Sequence, residues 1–196
     1  MVFRRHLVPI LIVVLAGCGP QDTLPLSVSK AGEGGNSRLA GLRQATAAFH
    51  DVDQAVAAGY AAPNAGDCVE APGLGAMGVH SANLGLAGDL EIDPLRPEVL
   101  LYLPKEGGGF RLVGVEYFAA ALVLTPSGPA PWFEASAPPY PFFNPAPSVF
   151  GQVFEGPMPG HWPGMPWHYD KHVWAWAPNP AGDFAQFNPV LSCPAG

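Results

Sequence analysis

The sequence predicts an α+β fold in which one helix near the amino terminus precedes an antiparallel sheet with long loops rich in proline and glycine. Three observations support this prediction: one segment with apolar residues at helical spacing, several apolar runs bounded by turn residues, and 24 Gly with 24 Pro among 196 residues. Five Trp, five Tyr and eleven Phe supply apolar area that a disordered chain lacks. We therefore expect a folded body with many loops.

The helix is expected to begin at Ser37, because serine is a good residue at the amino-terminal cap of a helix. Gly59 and Pro63 are expected to end it. Residues on one face recur at helical spacing, and they are Leu39, Leu42, Thr46, Phe49, Val52, Val56 and Tyr60.

Three apolar runs after the helix predict strands, at 76–80, 98–103 and 110–124. Pro104 ends the second run, and the glycine-rich turn at 105–109 is expected to join the last two runs as a hairpin. A hairpin of this kind makes the two strands antiparallel.

Proline dominates the chain after this hairpin. Residues 126–166 contain twelve of the 24 prolines, so we expect no central strand there. The aromatic run at 167–177 lies between Pro166 and Pro178, and its three Trp favour a strand, with a helix as the alternative. The resulting sheet could curl toward a barrel.

The amino terminus has the layout of a secretory signal. Arg4 and Arg5 precede the apolar run at 7–16, which is too short to span a bilayer, since spanning takes about 20 apolar residues. The stretch 15–18 (LAGC) resembles the lipobox of bacterial lipoproteins. This resemblance implies diacylation of the Cys18 thiol, cleavage before Cys18 and acylation of the new amino terminus.

The lipobox resemblance divides the chain into a signal peptide at 1–17, a lipidated flexible tether at 18–36 and a single globular domain at 37–196. It implies a cell-envelope protein attached to the membrane through the lipid on Cys18, with its body on the periplasmic or extracellular side. Loss of two arginines with the signal leaves seven basic residues against 16 acidic ones, a net charge of −9. A chain this acidic is a poor candidate for binding nucleic acid.

Cysteine usage follows from the same resemblance. With Cys18 acylated, Cys68 and Cys193 remain as an even pair in an oxidising compartment, which predicts a disulfide bond between them. Two free buried thiols or two thiolate metal ligands are the alternatives. The chain contains no CxxC pair, so thiolate ligands are the least favoured.

A series of short strings in the body resembles that of a family of uncharacterised exported bacterial proteins. The strings are 58–60 (AGY), Cys68, 77–80 (MGVH), 115–117 (VEY), 168–174 (HYDKHVW), 179–184 (NPAGDF) and 188–189 (NP). The resemblance covers nearly all of the expected mature chain. It implies a shared fold and brings no activity with it.

Glu116 is the most unusual residue of the predicted strands, because it lies in a run that is apolar on both faces. Burying a carboxylate is costly unless it is paired, hydrogen-bonded or bound to a metal. Arg111, Lys171, backbone N–H groups or a metal ion could be its partner. His80, His168 and His172 are the imidazoles that could join it around an ion.

The spacing of two of these histidines limits the site. If 167–177 is a strand, His168, Asp170 and His172 share a face, but the two histidines lie about 13 Å apart, too far to hold one ion together. In a helix they would lie one turn apart and could chelate. Three histidines with Glu116 are therefore the largest ligand set, and Asp170 is expected to orient one of the rings. Zn, Fe and Mn are the candidate metals.

A copper site is an alternative. Met158, His161 and Met165 lie in one proline-rich loop, and thioether with imidazole suits Cu(I). Methionine also commonly fills gaps among aromatic rings, which is the simpler interpretation of these residues.

The sequence thus favours an envelope protein that binds a metal or small ligand at a His/Glu cluster. The second hypothesis is a protein-interaction or structural module, in which the Pro- and aromatic-rich segment 129–147 contacts a protein partner and no metal binds. A metal-dependent enzyme is third, because it needs an open coordination position and a substrate pocket. Nucleophilic catalysis has no support, since no G-x-S-x-G motif is present.

Overall fold

A computed structural model of the chain describes residues 39–194, all of which fall in one compact unit. The expected signal peptide, Cys18, the tether and Ser37 lie outside the described residues, so the expectations about them stay predictions. Within 39–194, no helix has the length and apolar character needed to cross a bilayer.

The expected amino-terminal helix is present as three short consecutive segments. These are α1 (Ala40–Thr46), a 3-10 turn (Ala47–His50) and α2 (Val52–Ala57). The break occurs at Asp51, whose backbone is extended and whose side chain accepts a hydrogen bond from the Asp53 N–H at the start of α2. The break shifts the buried face, so that Ala55 is buried and Val56, expected to be buried, is 43% exposed.

A second 3-10 turn (Ala65–Asp67) follows, and after it come ten strands and one more helix of the described chain. They are β1 (Val69–Ala71), β2 (Gly75–Ala82), α3 (Leu84–Asp89), β3 (Val99–Pro104), β4 (Phe110–Ala120), β5 (Leu122–Thr125), β6 (Gly128–Pro131), β7 (Ser148–Val149), β8 (Gln152–Val153), β9 (Glu155–Met158) and β10 (His168–Val173). The main sheet is antiparallel, with strand order β1-β2-β3-β4-β10-β9. This curled six-stranded sheet with few helices confirms the α+β prediction.

The individual strand predictions agree with the structure in most places. The hairpin at 105–109 joins β3 to β4, and β10 is the strand expected within 167–177. The run at 110–124 is divided at Ala121 into β4, which pairs with β10, and β5, which pairs with β6. The proline-rich segment 126–166 contributes three short strands of the two small hairpins (β6, β7 and β8) and the edge strand β9, and it contributes no central strand.

One face of the main sheet packs against the helical segments and carries most of the core. Leu100, Tyr102, Val115 and Tyr117 on this face are buried. Leu39 at the start of α1 joins the same cluster. We call the opposite side the site face, because the chemically active side chains lie on it.

The site face is covered at its two ends by different parts of the chain. At one end, Trp174 and Leu191 of the carboxyl-terminal segment pack on Val99 and Leu101. At the other end, α3 and the proline-rich loops pack on Phe118 and its neighbours. Along β4, the position of Glu116 falls between the residues that these two covers contact.

The disulfide bond between Cys68 and Cys193 is present. It fastens the carboxyl-terminal cover to the segment that precedes β1. The Cys193 N–H also donates to the Glu70 carboxylate, and the Ala76 N–H donates to carbonyls of the same cover. The pairing that the cysteine count predicted is thus confirmed.

Candidate metal centre

Three strands bring His80, Glu116 and His172 together on the site face. His172 on β10 lies directly opposite Glu116 on β4. His80 on β2 lies opposite Leu101 of β3, and Leu101 lies opposite Gly114, two residues before Glu116. Side chains two residues apart on a strand point to the same face, so the three side chains converge over β3 and β4.

The three donor atoms form a nearly equilateral triangle. The Nε2 atoms of His80 and His172 are 3.4 Å apart, and Glu116 Oε2 lies 3.2 Å from the first and 3.7 Å from the second. A point equidistant from all three lies about 2.0 Å from each, which matches typical Zn–N and Zn–O bonds of roughly 2.0–2.2 Å. These residues could therefore hold a metal ion with little movement.

Burial makes this arrangement costly without a cation. Glu116 is 4% exposed and His172 is 2% exposed. Glu116 Oε2 and His172 Nδ1 have no hydrogen-bond partner among the described residues. A buried polar atom in this state loses its hydration without compensation, and an ion at the centre of the triangle would compensate Oε2.

The two basic side chains that the sequence suggested as partners of Glu116 lie elsewhere in the structure. Lys171 forms an ion pair with Glu155, on the face opposite Glu116. Arg111 is exposed near the start of β4. The imidazoles of His80 and His172 are the nearest basic groups to the Glu116 carboxylate.

Burial also sets the protonation of the cluster. It lowers the pKa of His80 to about 3, with the neighbouring His172 acting in the same direction, and lowers the pKa of His172 to about 4. Burial likewise raises the pKa of Glu116 well above its usual value. Near neutral pH both rings are therefore uncharged, the form that binds metals.

Gly78 fixes the backbone two residues before His80. Its φ is +92°, and a Cβ there would lie 2.6 Å from the carbonyl oxygen of Tyr102. Both the left-handed backbone and the close approach require glycine. This requirement gives a physical reason for the glycine in the 77–80 string.

His168 lies outside the triangle, as expected if residues 167–177 form a strand. Within residues 39–194, the group of converging ligand atoms includes His80, Glu116 and His172 and does not include His168. The His168 ring stacks on Phe118 at 5.1 Å, and its Nδ1 lies 3.2 Å from the Pro166 carbonyl oxygen. Its role in the structure is packing beside the site.

Asp170 lies between His168 and His172 on β10. Its Oδ2 is 3.7 Å from His168 Nε2, so it orients the ring that does not join the triangle. Burial acts to raise the pKa of Asp170, but the interactions with His168 and His172 outweigh it, and the pKa is lowered. Asp170 therefore places a buried negative charge next to the candidate metal position.

The residues of the copper alternative are only partly brought together. The His161 backbone N–H donates to the Met165 sulfur at 3.4 Å, so the contact uses the main chain and not the ring. Met158 lies opposite His168 on the edge strand β9. The copper site stays a prediction.

The segment 129–147 is fastened to the sheet by Asn144. Its side chain accepts a hydrogen bond from the Leu122 N–H at 2.7 Å and donates one to the Ala120 carbonyl at 2.9 Å. The main-chain carbonyl of Asn144 accepts a hydrogen bond from the Tyr169 hydroxyl. Three aromatic side chains of the segment are exposed, namely Phe133, Tyr140 and Phe143.

Helix α3 and the cavity that it borders were not predicted from the sequence. Asn83 caps this helix, because its side chain accepts from the N–H groups of Gly85 and Leu86. An asparagine before a short apolar stretch is the signal that could have predicted it. The cavity has a volume of about 360 Å³, and His80 and Glu116 form part of its wall.

Comparisons of the chain with protein-family models, with curated proteins and with solved structures found no match. The donor atoms and their surroundings are therefore the guide to what the protein does.

Glu98 is a second buried carboxyl group, and its charge acts on Glu116. Its Oε2 accepts a hydrogen bond from the Phe118 N–H at 3.1 Å, yet burial raises its pKa to about 7. A pKa raised above the unfolded value means that the folded state binds the proton more tightly. The resulting stabilisation is present below the unfolded pKa and is lost as the pH rises through about 7.

We therefore expect the free energy of unfolding of Glu98→Gln to increase relative to that of the metal-free wild type between pH 5 and pH 8. The variant keeps an oxygen for the Phe118 N–H and removes the titrating group, while the two buried histidines titrate in both proteins and cancel in the difference. Urea denaturation at several pH values measures both curves. Glu106→Gln, in the exposed turn after β3, is the matched control and should follow the wild type; parallel curves for Glu98→Gln and wild type would contradict the assignment.

Proposed function

We propose that this protein is a lipid-anchored protein of the cell envelope that binds one divalent transition-metal ion through His80, Glu116 and His172. The observation that carries the metal site is the convergence of two Nε2 atoms and one Oε2 atom at bonding distance from a common point. The burial of Glu116 Oε2 beside two imidazoles that are uncharged near neutral pH gives a further reason for a cation there.

Zinc is the first candidate for this ion. Two imidazoles with one carboxylate form a ligand set that catalytic zinc sites use, with the fourth position left open. The same set also suits Fe(II), and Mn is a further candidate with a preference for more oxygen ligands. The triangle contains no sulfur donor, which disfavours Cu(I) at this position.

The cellular location is proposed from the amino-terminal sequence. The LAGC stretch that ends at Cys18 supports lipidation, and the resemblance to exported bacterial proteins supports the envelope. The Cys68–Cys193 disulfide is of the kind that persists in oxidising compartments, and it is consistent with the same address.

A protein-interaction module is the second candidate, supported by the exposed aromatic side chains of segment 129–147. On this hypothesis the histidines pack without a metal. Catalysis by the metal would be a third function, and it requires the open position and the adjacent cavity to be accessible to a substrate. Metal content separates the second candidate from the other two.

The metal proposal predicts one zinc ion per chain. Protein purified without a histidine tag would be stripped with a chelator, titrated with Zn²⁺ and passed over a desalting column before metal analysis. Binding should raise the melting temperature, because the ion binds the folded chain through three ligands that only folding brings together. A chain that retains no stoichiometric zinc and shows no thermal shift would contradict the proposal.

A further inference from the structure

The cavity beside the triangle determines what the metal would face. Its wall includes His80 and Glu116 but not His172, so the triangle presents one side to the cavity and is closed behind by β10. A metal held by three ligands from the protein has an open position, and that position would point into the cavity.

The rest of the cavity is apolar. Val99 and Phe118 of the site face line it together with His80 and Glu116. Its outer wall includes four large apolar side chains that are exposed to solvent: Leu84 is 80%, Leu90 48%, Phe133 60% and Trp162 51% exposed. Exposed apolar side chains gathered around one concave site are typical of a binding site for an apolar molecule.

The charged groups around the cavity indicate which polar head group the ligand carries. No Lys or Arg lines the cavity, so the metal would be the one positive group within it. An anionic head group on the ligand would therefore bind at the open position of the metal, where it meets the one cation of the cavity.

We propose that the metal-loaded site binds a monocarboxylate with an unbranched apolar chain, as in a medium-chain fatty acid. Its carboxylate occupies the open position of the metal, and its chain fills the apolar cavity. This inference rests on the metal site proposed above, and it adds the chemical class of the ligand.

The test uses the purified full chain loaded with zinc. Calorimetric titration with butanoate, hexanoate, octanoate and decanoate should show an affinity that rises about fourfold per added methylene until the cavity is full. The zinc-free protein should bind octanoate at least about tenfold more weakly. Octan-1-ol, which has a chain of the same length and no charge, should also bind the zinc-loaded protein more weakly than octanoate.

A variant at Gly88 isolates the cavity from the metal. Gly88 lines the cavity, and a Cβ there would meet no atom within 4 Å, so Gly88→Phe can fill the space without backbone conflict. It should weaken octanoate binding by about tenfold or more while zinc affinity stays the same. Ala57→Phe, at an exposed position of α2 outside the cavity wall, is the matched control.

The outcomes separate the two proposals. Failure to bind zinc would overturn both. Normal zinc binding without octanoate binding would overturn the ligand inference alone. Equal octanoate affinity with and without zinc, or an affinity independent of chain length, would overturn it as well, because the head group or the chain would then lie elsewhere.

Discussion

Replacing Glu116 by glutamine is expected to lower the affinity for zinc by about 100-fold or more, beyond the 10- to 100-fold cost of losing an outer partner of a ligand. The variant keeps the size of the side chain and removes the only anionic donor of the triangle. Competition with a chromophoric chelator measures the change. In the metal-free state the variant should be at least as stable as the wild type, because it removes a buried carboxyl group whose Oε2 has no hydrogen-bond partner.

His168→Gln is the matched control for this experiment. His168 is also a buried histidine of β10 on the same face, but its ring stacks on Phe118 away from the triangle. The zinc affinity of the His168→Gln variant should stay within about threefold of that of the wild type, a difference of less than about 1 kcal/mol. Equal losses in the two variants, or unchanged affinity in Glu116→Gln, would contradict the ligand assignment.

Removing the Cys68–Cys193 disulfide is expected to lower the free energy of unfolding by about 4–5 kcal/mol, the value for a loop of this size in the chain-entropy model. The two cysteines are 125 residues apart, so the bond restricts nearly the whole described chain in the unfolded state. The double variant Cys68→Ala/Cys193→Ala, compared with the wild type by urea denaturation, gives the difference.

The reduced wild type provides the check on this second prediction. It should lose a similar amount of stability, whereas reductant should not change the double variant. A loss of less than about 1 kcal/mol would show that the contacts of the carboxyl-terminal cover with Ala76 and Glu70 hold that segment without the bond.

Local pattern was enough to predict much of the fold and part of the site. The apolar runs around 76–80 and 98–103 correspond to β2 and β3, and the flanking prolines predicted a strand for β10. The anomaly of Glu116 in a doubly apolar strand correctly indicated a buried carboxyl group. The period of two in a strand also separated His168 from His172.

The rest depends on contacts between distant parts of the chain. His80 joins Glu116 because β2 pairs with β3 in one particular register, and no short-range pattern specifies that register. The break at Asp51 depends on a capping side chain that competes with helical periodicity. The cavity forms where α3 meets two proline-rich loops, and its existence follows from tertiary packing alone.

Anomalous diffraction from crystals of the zinc-loaded protein, measured on both sides of the zinc absorption edge, tests the central claim most directly. The metal site predicts one strong peak within roughly 2.0–2.2 Å of His80 Nε2, Glu116 Oε2 and His172 Nε2. A strong peak beside His161 and Met165, with none inside the triangle, would contradict it.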